Sequence, residues 1–292
     1  MVLAARGVKG DIAAMLAAPL RTVRLAALLA LGCALLVLGC HGLAGREPPV
    51  RVLVYNIHAG KDAAGQPNLD RVAELIRLLE ADVVLLQEVD RGTERSGRAD
   101  QLAELTGGTG MHGAFGKTLD YQGGDYGIAV LSRWPIRADT LVRLRVEPPQ
   151  ERAGGSYEPR GALHVLIDAP GGLVHVVNTH LDPSADDGYR IQEARTVRRI
   201  AEAAWADVPR VLVGGDFNSE PGSRVARLLA QGFLQDAWPD CGEGPGLTYP
   251  AGEPVKRIDY LLASSSFACL GAEVVSTATS DHRPVLFVLR VL

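Results

Sequence analysis

Short apolar runs recur from residue 50 to residue 289, and most of them end in a small set of polar residues. The runs cover 50–55, 83–86, 128–131, 163–167, 174–177, 211–213, 260–262 and 285–289. Each reads as a short apolar strand, and 211–213 as a buried one. Helical patterns fall between some of them. Residues 69–79 put Val72, Leu75, Ile76 and Leu79 on one face. Residues 191–205 and 224–231 are two more helices, the last with Pro221 near its start. Strands alternate with helices early and late, whereas 126–180 is strands alone. That mixture predicts packed sheets with outer helices, not one doubly wound sheet. No solenoid repeat and no long low-complexity linker divides 50–292, so it reads as one domain. The stretch 147–159, rich in proline and glycine, reads as a surface loop.

The polar sets carry the chemistry. Tyr55 leads into Asn56-Ile57-His58, and Leu86 into Gln87-Glu88. Val177 leads into Asn178-Thr179-His180-Leu181-Asp182. Val213 leads into Gly214-Gly215-Asp216-Phe217-Asn218-Ser219, where two glycines let the backbone turn and Asp216 and Asn218 share a side. Arg257-Ile258-Asp259-Tyr260 opens one strand, and Ser280-Asp281-His282-Arg283-Pro284 precedes the last. Any one set has an ordinary structural reading. Glu88 alone is a solvated strand end, His180 a satisfied histidine, Asp259 a partner for Arg257, and Asp216 an Asx turn. Six sets at strand ends exceed what packing requires.

Their composition suits one reaction. Asn56, Glu88 and Asp281 are hard oxygen donors, matched to magnesium or manganese and not to zinc. His180 and His282 offer proton chemistry near neutral pH, and Asp259 can orient a histidine. Asp216 and Asn218 can position a water and a phosphoryl oxygen. A metal, a water and donors around a developing anion are what phosphate-ester hydrolysis needs. No Gly-x-Ser-x-Gly elbow and no Walker phosphate loop occurs in the sequence.

Charge and the N-terminus bear on location and partner. The net charge is -4; Arg6, Lys9, Arg21 and Arg24 against Asp11 put the first 40 residues at +3, leaving about -7 on the remainder. An acidic body disfavours tight sequence-independent nucleic-acid binding. Arg21 and Arg24 precede an uncharged run from Leu25 to Gly39 that is shorter than the roughly 20 residues of a spanning helix. Residues 1–40 read as an export signal. Cys40 after Gly39 resembles the lipidated cysteine of a bacterial lipoprotein, although Leu38 departs from the usual residue there; an ordinary or uncleaved signal is the other reading. Met15 would begin a more usual signal. Residues 41–49 then form a short linker. Each reading places the body outside the cytoplasm, with a membrane surface within reach of a lipidated Cys40. Of four cysteines, Cys241 and Cys269 fall in the body, where pairing and separate burial are both open.

In this order the chain resembles the endonuclease/exonuclease/phosphatase superfamily. The resemblance rests on Tyr55-Asn56-Ile57, Gln87-Glu88-Val89-Asp90, Tyr126-Gly127-Ile128-Ala129-Val130-Leu131-Ser132, Asn178-Thr179-His180-Leu181, Gly215-Asp216-Phe217-Asn218, Arg257-Ile258-Asp259-Tyr260 and Ser280-Asp281-His282-Arg283-Pro284. It implies an α/β, four-layer sandwich: two central mixed sheets flanked by helices, with the site along one end. It implies Glu88 as the main metal ligand, beside Asn56 and Asp281. It implies His282, paired with Asp259, as base or phosphate stabiliser, and His180 as a donor to a phosphoryl oxygen. Asp216 and Asn218 would orient the attacking water. Arg160 is a candidate phosphate clamp by its fork geometry. The expected activity is magnesium- or manganese-dependent hydrolysis of a phosphate ester on a lipid or small headgroup. A secreted nuclease and a non-catalytic binding module are the alternatives.

Overall fold

A computed structural model describes residues 48–149 and 158–292. The expected signal segment with Cys40, and most of the linker after it, lie outside the described residues. So does the middle of the 147–159 loop. The elements run β1 (Val50–Asn56), α1 (Leu69–Leu78), β2 (Val83–Arg91), α2 (Gln101–Thr109), β3 (His112–Tyr121), β4 (Gly124–Ser132), β5 (Ile136–Leu144), β6 (Arg160–Ala169) and β7 (Gly172–His180). They continue α3 (Gly188–Asp207), β8 (Val211–Asp216), α4 (Arg224–Leu229), β9 (Leu234–Asp236), α5 (Trp238–Cys241), β10 (Asp259–Ser264), β11 (Phe267–Val274) and β12 (Val285–Val291). Every strand and helix expected from the apolar pattern is present. Missed were α2, whose Gly107 and Gly108 weaken its helical signal, and strands such as β5 that are largely exposed.

The strands form two six-stranded mixed sheets, β11-β12-β1-β2-β4-β3 and β5-β6-β7-β8-β10-β9. The pleat explains why their strands are apolar throughout. Val52 and Val54 of β1, with Val83 and Leu85 of β2, meet Val165, Val176 and Leu212 of the other sheet in a shared core. Leu53, Tyr55, Val84 and Leu86 point the other way, against Val72 and Ile76 of α1 and Leu105 of α2. On the far side Val211 and Val213 pack against Ala194, Val197 and Ala201 of α3. The order is helix, sheet, sheet, helix, the four layers that the resemblance implied. Alternate residues of one strand thus bury on opposite faces.

Two parallel pairs fix where the polar ends go. β1 pairs parallel with β2, and β7 with β8, so Asn56, Gln87, His180 and Asp216 all emerge at one end. The two sheets are joined there by amides. Asn178 Nδ2 donates to the carbonyls of Leu86 and Ala129 in the other sheet, and its Oδ1 accepts from Gln87 Nε2 at 2.7 Å.

The glycines before Asp216 do not turn the chain. Gly214 and Gly215 lie inside β8. A β-carbon on Gly215 would stand 1.9 Å from the Thr179 carbonyl oxygen, and one on Gly214 2.7 Å from that of Tyr260. They allow close approach of neighbouring strands, and the turn comes later, at Asn218 with φ 46°. The two remaining cysteines are joined as a Cys241–Cys269 disulfide, tying α5 to β11.

Candidate active site

Glu88 reaches the site through a bulge. Leu86 pairs with Ala129 and Val89 with Gly127, so Gln87 and Glu88 together oppose one residue of β4. Glu88 takes a left-handed φ of 58°, uncommon for a residue with a side chain. The kink sends Gln87 inward to Asn178 and leaves Glu88 lining the cleft. Beside it, buried Asn56 donates through Nδ2 to Glu88 Oε1 and to Asp216 Oδ2, both at 3.2 Å. Asp281 sits on the loop before β12, which antiparallel pairing brings to the end of β1. Ser280 pins that loop by donating to the Asn56 carbonyl at 2.8 Å.

Asp216 is the hub. Strand register puts it opposite His180 in β7 and Asp259 in β10. Its Oδ2 lies 3.2 Å from Asn56 Nδ2, 3.5 Å from His180 Nε2 and 3.7 Å from His282 Nε2. Its Oδ1 accepts from the Asn218 amide at 2.9 Å, an Asx turn that also fixes Asn218. Asn218 Nδ2 in turn donates to the Leu181 carbonyl. The Asx turn and the site are therefore one structure. Burial pushes Asp216 up to about 7, with His282 opposing and Asp259 adding to the rise. On its other side His282 Nδ1 contacts Asp259 Oδ2 at 3.0 Å. Burial works against charge on His282, but Asp259, Asp216 and Asp281 outweigh it and push the ring up to about 10. Burial holds His180 well below the ordinary histidine value, helped by Arg160 and His282. The two histidines thus differ in charge at neutral pH: His282 is an imidazolium and His180 a neutral ring. Arg257 pairs with Asp236, which leaves Asp259 to the histidine.

Glu88, Arg160, His180, Asp216, Asn218, Asp281 and His282 line one cleft of about 940 Å³, with Asn56 and Asp259 behind them. That is at the upper end of the roughly 300–1,000 Å³ of small-molecule sites. Arg160 is buried and paired with Glu158 at 2.7 Å, so the end of the 147–159 loop is packed in at Glu158 and not exposed. Sequence reasoning gave no role to His58, Arg95, Tyr121, Arg190, Tyr249 or Lys256, which also line the cleft. Arg95 is held by both oxygens of Asp90 at 2.8 Å and lies 4.7 Å from the Tyr121 ring centre. Tyr249 lies 4.8 Å from the His282 ring. Arg190 lies in the first turn of α3; the others sit in loops, short turns or near strand ends, where no periodicity marks them. Only His58 carried a signal, its place two residues after Asn56.

The donors suit a divalent cation. Glu88, Asp216, Asp259 and Asp281 gather carboxylates around one imidazolium, and Asp259 Oδ1 is a buried acceptor with no hydrogen-bond partner. Asp216, Asp259 and His282 each offer a ligand atom within 4.8 Å of the others, while Glu88 and Asp281 offer carboxylate oxygens on the wall of the same cleft, with Asn56 beside Glu88. Hard oxygens in excess of positive charge fit magnesium or manganese.

Comparison with known proteins bears on family and fold. The Endonuclease/Exonuclease/phosphatase family matches residues 53–282. The uncharacterized protein YbhP of Escherichia coli (strain K12) is 28% identical over 253 residues, covering 80% of this chain and 94% of its own. An endonuclease/exonuclease/phosphatase of Beutenbergia cavernae superposes with a TM-score of 0.66 at 26% identity, over 84% of this chain and 72% of that one. The mannosyl-6-phosphatase Bt3783 of Bacteroides thetaiotaomicron shares the fold, with a TM-score of 0.68 at 18% identity over 82% of this chain and 99% of that one.

Proposed function

The chain belongs to the endonuclease/exonuclease/phosphatase family, hydrolases of phosphate ester bonds, and from that premise we propose a divalent-metal-dependent phosphoesterase acting on a lipid or small phosphorylated headgroup outside the cytoplasm. One observation carries the reading: Asp216 Oδ2 stands within 3.7 Å of Asn56, His180 and His282 at once, on the wall of a single cleft. Glu88, Asn56 and Asp281 would hold magnesium or manganese, which when bound supplies positive charge to phosphoryl oxygens. The Asp216–Asp259–His282 set is the poorer place for an ion, because His282 already stands between its carboxylates with its own positive charge.

Asp216, oriented by the Asn218 amide, accepts the proton of the attacking water. His282, kept charged by Asp259, faces the negative charge that builds on the phosphoryl group. Neutral His180 donates to a phosphoryl oxygen. Asn218 completes the polar wall, and Arg160 offers a fixed guanidinium beside it.

Substrate class follows from charge. Lys117 pairs with Asp120 and Asp125, Arg133 with Asp82, Arg160 with Glu158 and Arg95 with Asp90. Asp186, Asp187 and Glu220 add negative charge to the cleft wall. A polyanionic strand would meet bases that, Lys256 apart, are largely engaged with acids, whereas one phosphate on a compact body meets the cation and His282. The disulfide is at home in an oxidising compartment, in keeping with an exported body held at the membrane through Cys40. Palmitate labelling of the parent against Cys40→Ser tests that tether, and an unlabelled parent ends it.

The enzymatic test is hydrolysis of bis(4-nitrophenyl) phosphate with and without magnesium, chelator and His282→Ala. Retained turnover in that variant, purified free of host nuclease, overturns the mechanism. A panel of sphingomyelin, phosphatidylinositol phosphates, phosphomonoesters and plasmid DNA then decides the substrate. Nicking of plasmid alone would reject the headgroup reading in favour of a nuclease.

A further inference from the structure

His58 has a turn built around it. The chain leaves β1 at Asn56 and at once enters a single 3-10 turn, His58–Gly60. His58 and Ala59 both take left-handed φ values, 49° and 54°, though neither is glycine. Consecutive residues of this kind persist only where the surroundings hold them, and such strain collects at functional sites. Hydrogen bonds hold this turn on both sides: the His58 amide donates to Asn56 Oδ1 at 3.1 Å, the Gly60 amide to the Ile57 carbonyl, and the carbonyls of His58, Ala59 and Gly60 accept from Lys61, Gln101 and Asn68.

The turn carries the imidazole into the same cleft as Glu88 and Asp281. There Nδ1 is buried and has no hydrogen-bond partner, although the side chain as a whole is 37% exposed. The nearest acid is Asp281, whose Oδ1 stands 3.8 Å from Nδ1 and also accepts from Ser280 Oγ at 3.2 Å. That gap is too long for a hydrogen bond, which needs roughly 2.7–3.2 Å. It suits two donors sharing one ion: ligands each roughly 2.1 Å from a divalent metal stand about 3–4 Å apart, depending on the angle.

We propose that His58 Nδ1 is a ligand of the divalent ion held by Glu88 and Asp281, so that this centre has a nitrogen donor and prefers manganese or another transition ion to magnesium. The inference rests on the reading of Glu88 and Asp281 as ion-holding residues and adds to it the identity of the ion. Magnesium favours an all-oxygen shell, whereas imidazole is a good donor to the first-row transition ions. Binding at Nδ1 satisfies the orphaned nitrogen.

The probe is manganous ion added to the chelator-stripped full-length chain, observed by pulsed electron paramagnetic resonance. The expected result is nitrogen coupling to the bound manganese, with its frequency shifted when the chain carries 15N-histidine. In His58→Ala and His58→Gln the coupling disappears. Manganese affinity in both variants falls about tenfold or more, and magnesium affinity falls less. Both substitutions keep the amide that holds Asn56, and the isotope measurement needs no substitution at all. An uncoupled manganese in the parent overturns the proposal. Coupling that survives both His58 variants but vanishes in His282→Ala also overturns it, by placing the ion at the Asp216–Asp259–His282 cluster. Hydrolysis of bis(4-nitrophenyl) phosphate by the same sample separates the two readings. Turnover with an uncoupled manganese leaves the phosphoesterase reading standing; neither binding nor turnover removes both.

Discussion

Asp216 shows how one side chain takes several roles. Its carboxylate is surrounded by an amide, a neutral imidazole and an imidazolium, and its own backbone amide neighbour fixes its rotation. Burial makes the charged form costly, so the native fold keeps it at a cost in stability, as functional sites often do. Asp216→Asn preserves shape and removes the charge. The expected outcome is loss of at least about a thousandfold in kcat/KM with a melting temperature equal to or above that of the parent. Steady-state kinetics on bis(4-nitrophenyl) phosphate and a thermal melt decide it; a lowered melting temperature with activity retained contradicts both halves. The pairing of His282 with Asp259 came from the family resemblance. From the residues alone Asp259 could equally have paired with Arg257, two positions away, and only the fold shows Arg257 turned toward Asp236.

At the level of elements, β8 depends on glycine. The Gly215 φ of 130° and the Thr179 oxygen 1.9 Å from any added β-carbon leave no room for a methyl group. Gly215→Ala should destabilise the fold by about 2–4 kcal/mol, read as a lower urea midpoint at unchanged slope. A neutral result would mean β7 and β8 can separate without loss.

The inner face of helix α3 carries a pH-sensitive residue. Glu193 is pushed up to about 7, chiefly by burial, while the Asp182 amide that donates to its Oε2 at 2.9 Å and the Arg160 charge act the other way. Its folded value lies above the ordinary 4.5, so the folded state holds the proton more tightly. The stability it contributes is present below about pH 4.5 and is lost as pH rises through about 7. Glu193→Gln keeps an acceptor for the amide and removes the titration. Relative to the parent it should gain stability between pH 5 and pH 8, by up to about 3 kcal/mol. Denaturant midpoints of both proteins at the two pH values measure this; a constant difference rejects it.

Across the whole molecule, two sheets stacked face to face are tied together near the site by Asn178 and Gln87, while the disulfide ties α5 to β11. The disulfide closes a separation of 28 residues, which in the chain-entropy account contributes about 3–4 kcal/mol. Replacing Cys241 and Cys269 by serine together, or reducing the parent, should lower the melting temperature by several degrees and leave turnover at low temperature unchanged. The cleft is remote in chemistry from the bond, so loss of turnover in the folded variant would show a coupling that the contacts do not contain. The sequence left the pairing open because spacing carries no distance.

What the sequence determined by itself is the set of strands and the chemistry at their ends. Continuous apolar runs require both faces buried, which limits the fold to stacked sheets with helices outside, and acids, amides and histidines at strand ends limit the reaction. What only the tertiary structure decided is which of these groups meet and in what charge state. Parallel pairing brought Asn56, Glu88, His180 and Asp216 to one end; the carboxylates of Asp259, Asp216 and Asp281 then keep His282 charged against its burial, while burial keeps His180 neutral. The glycines of β8 show the same division: in the sequence they read as a turn, and only the neighbouring carbonyl oxygens show that they exclude a side chain. Sequence fixes donors and periodicity, which are local; proximity and desolvation belong to the packed chain, because they depend on residues far apart along it.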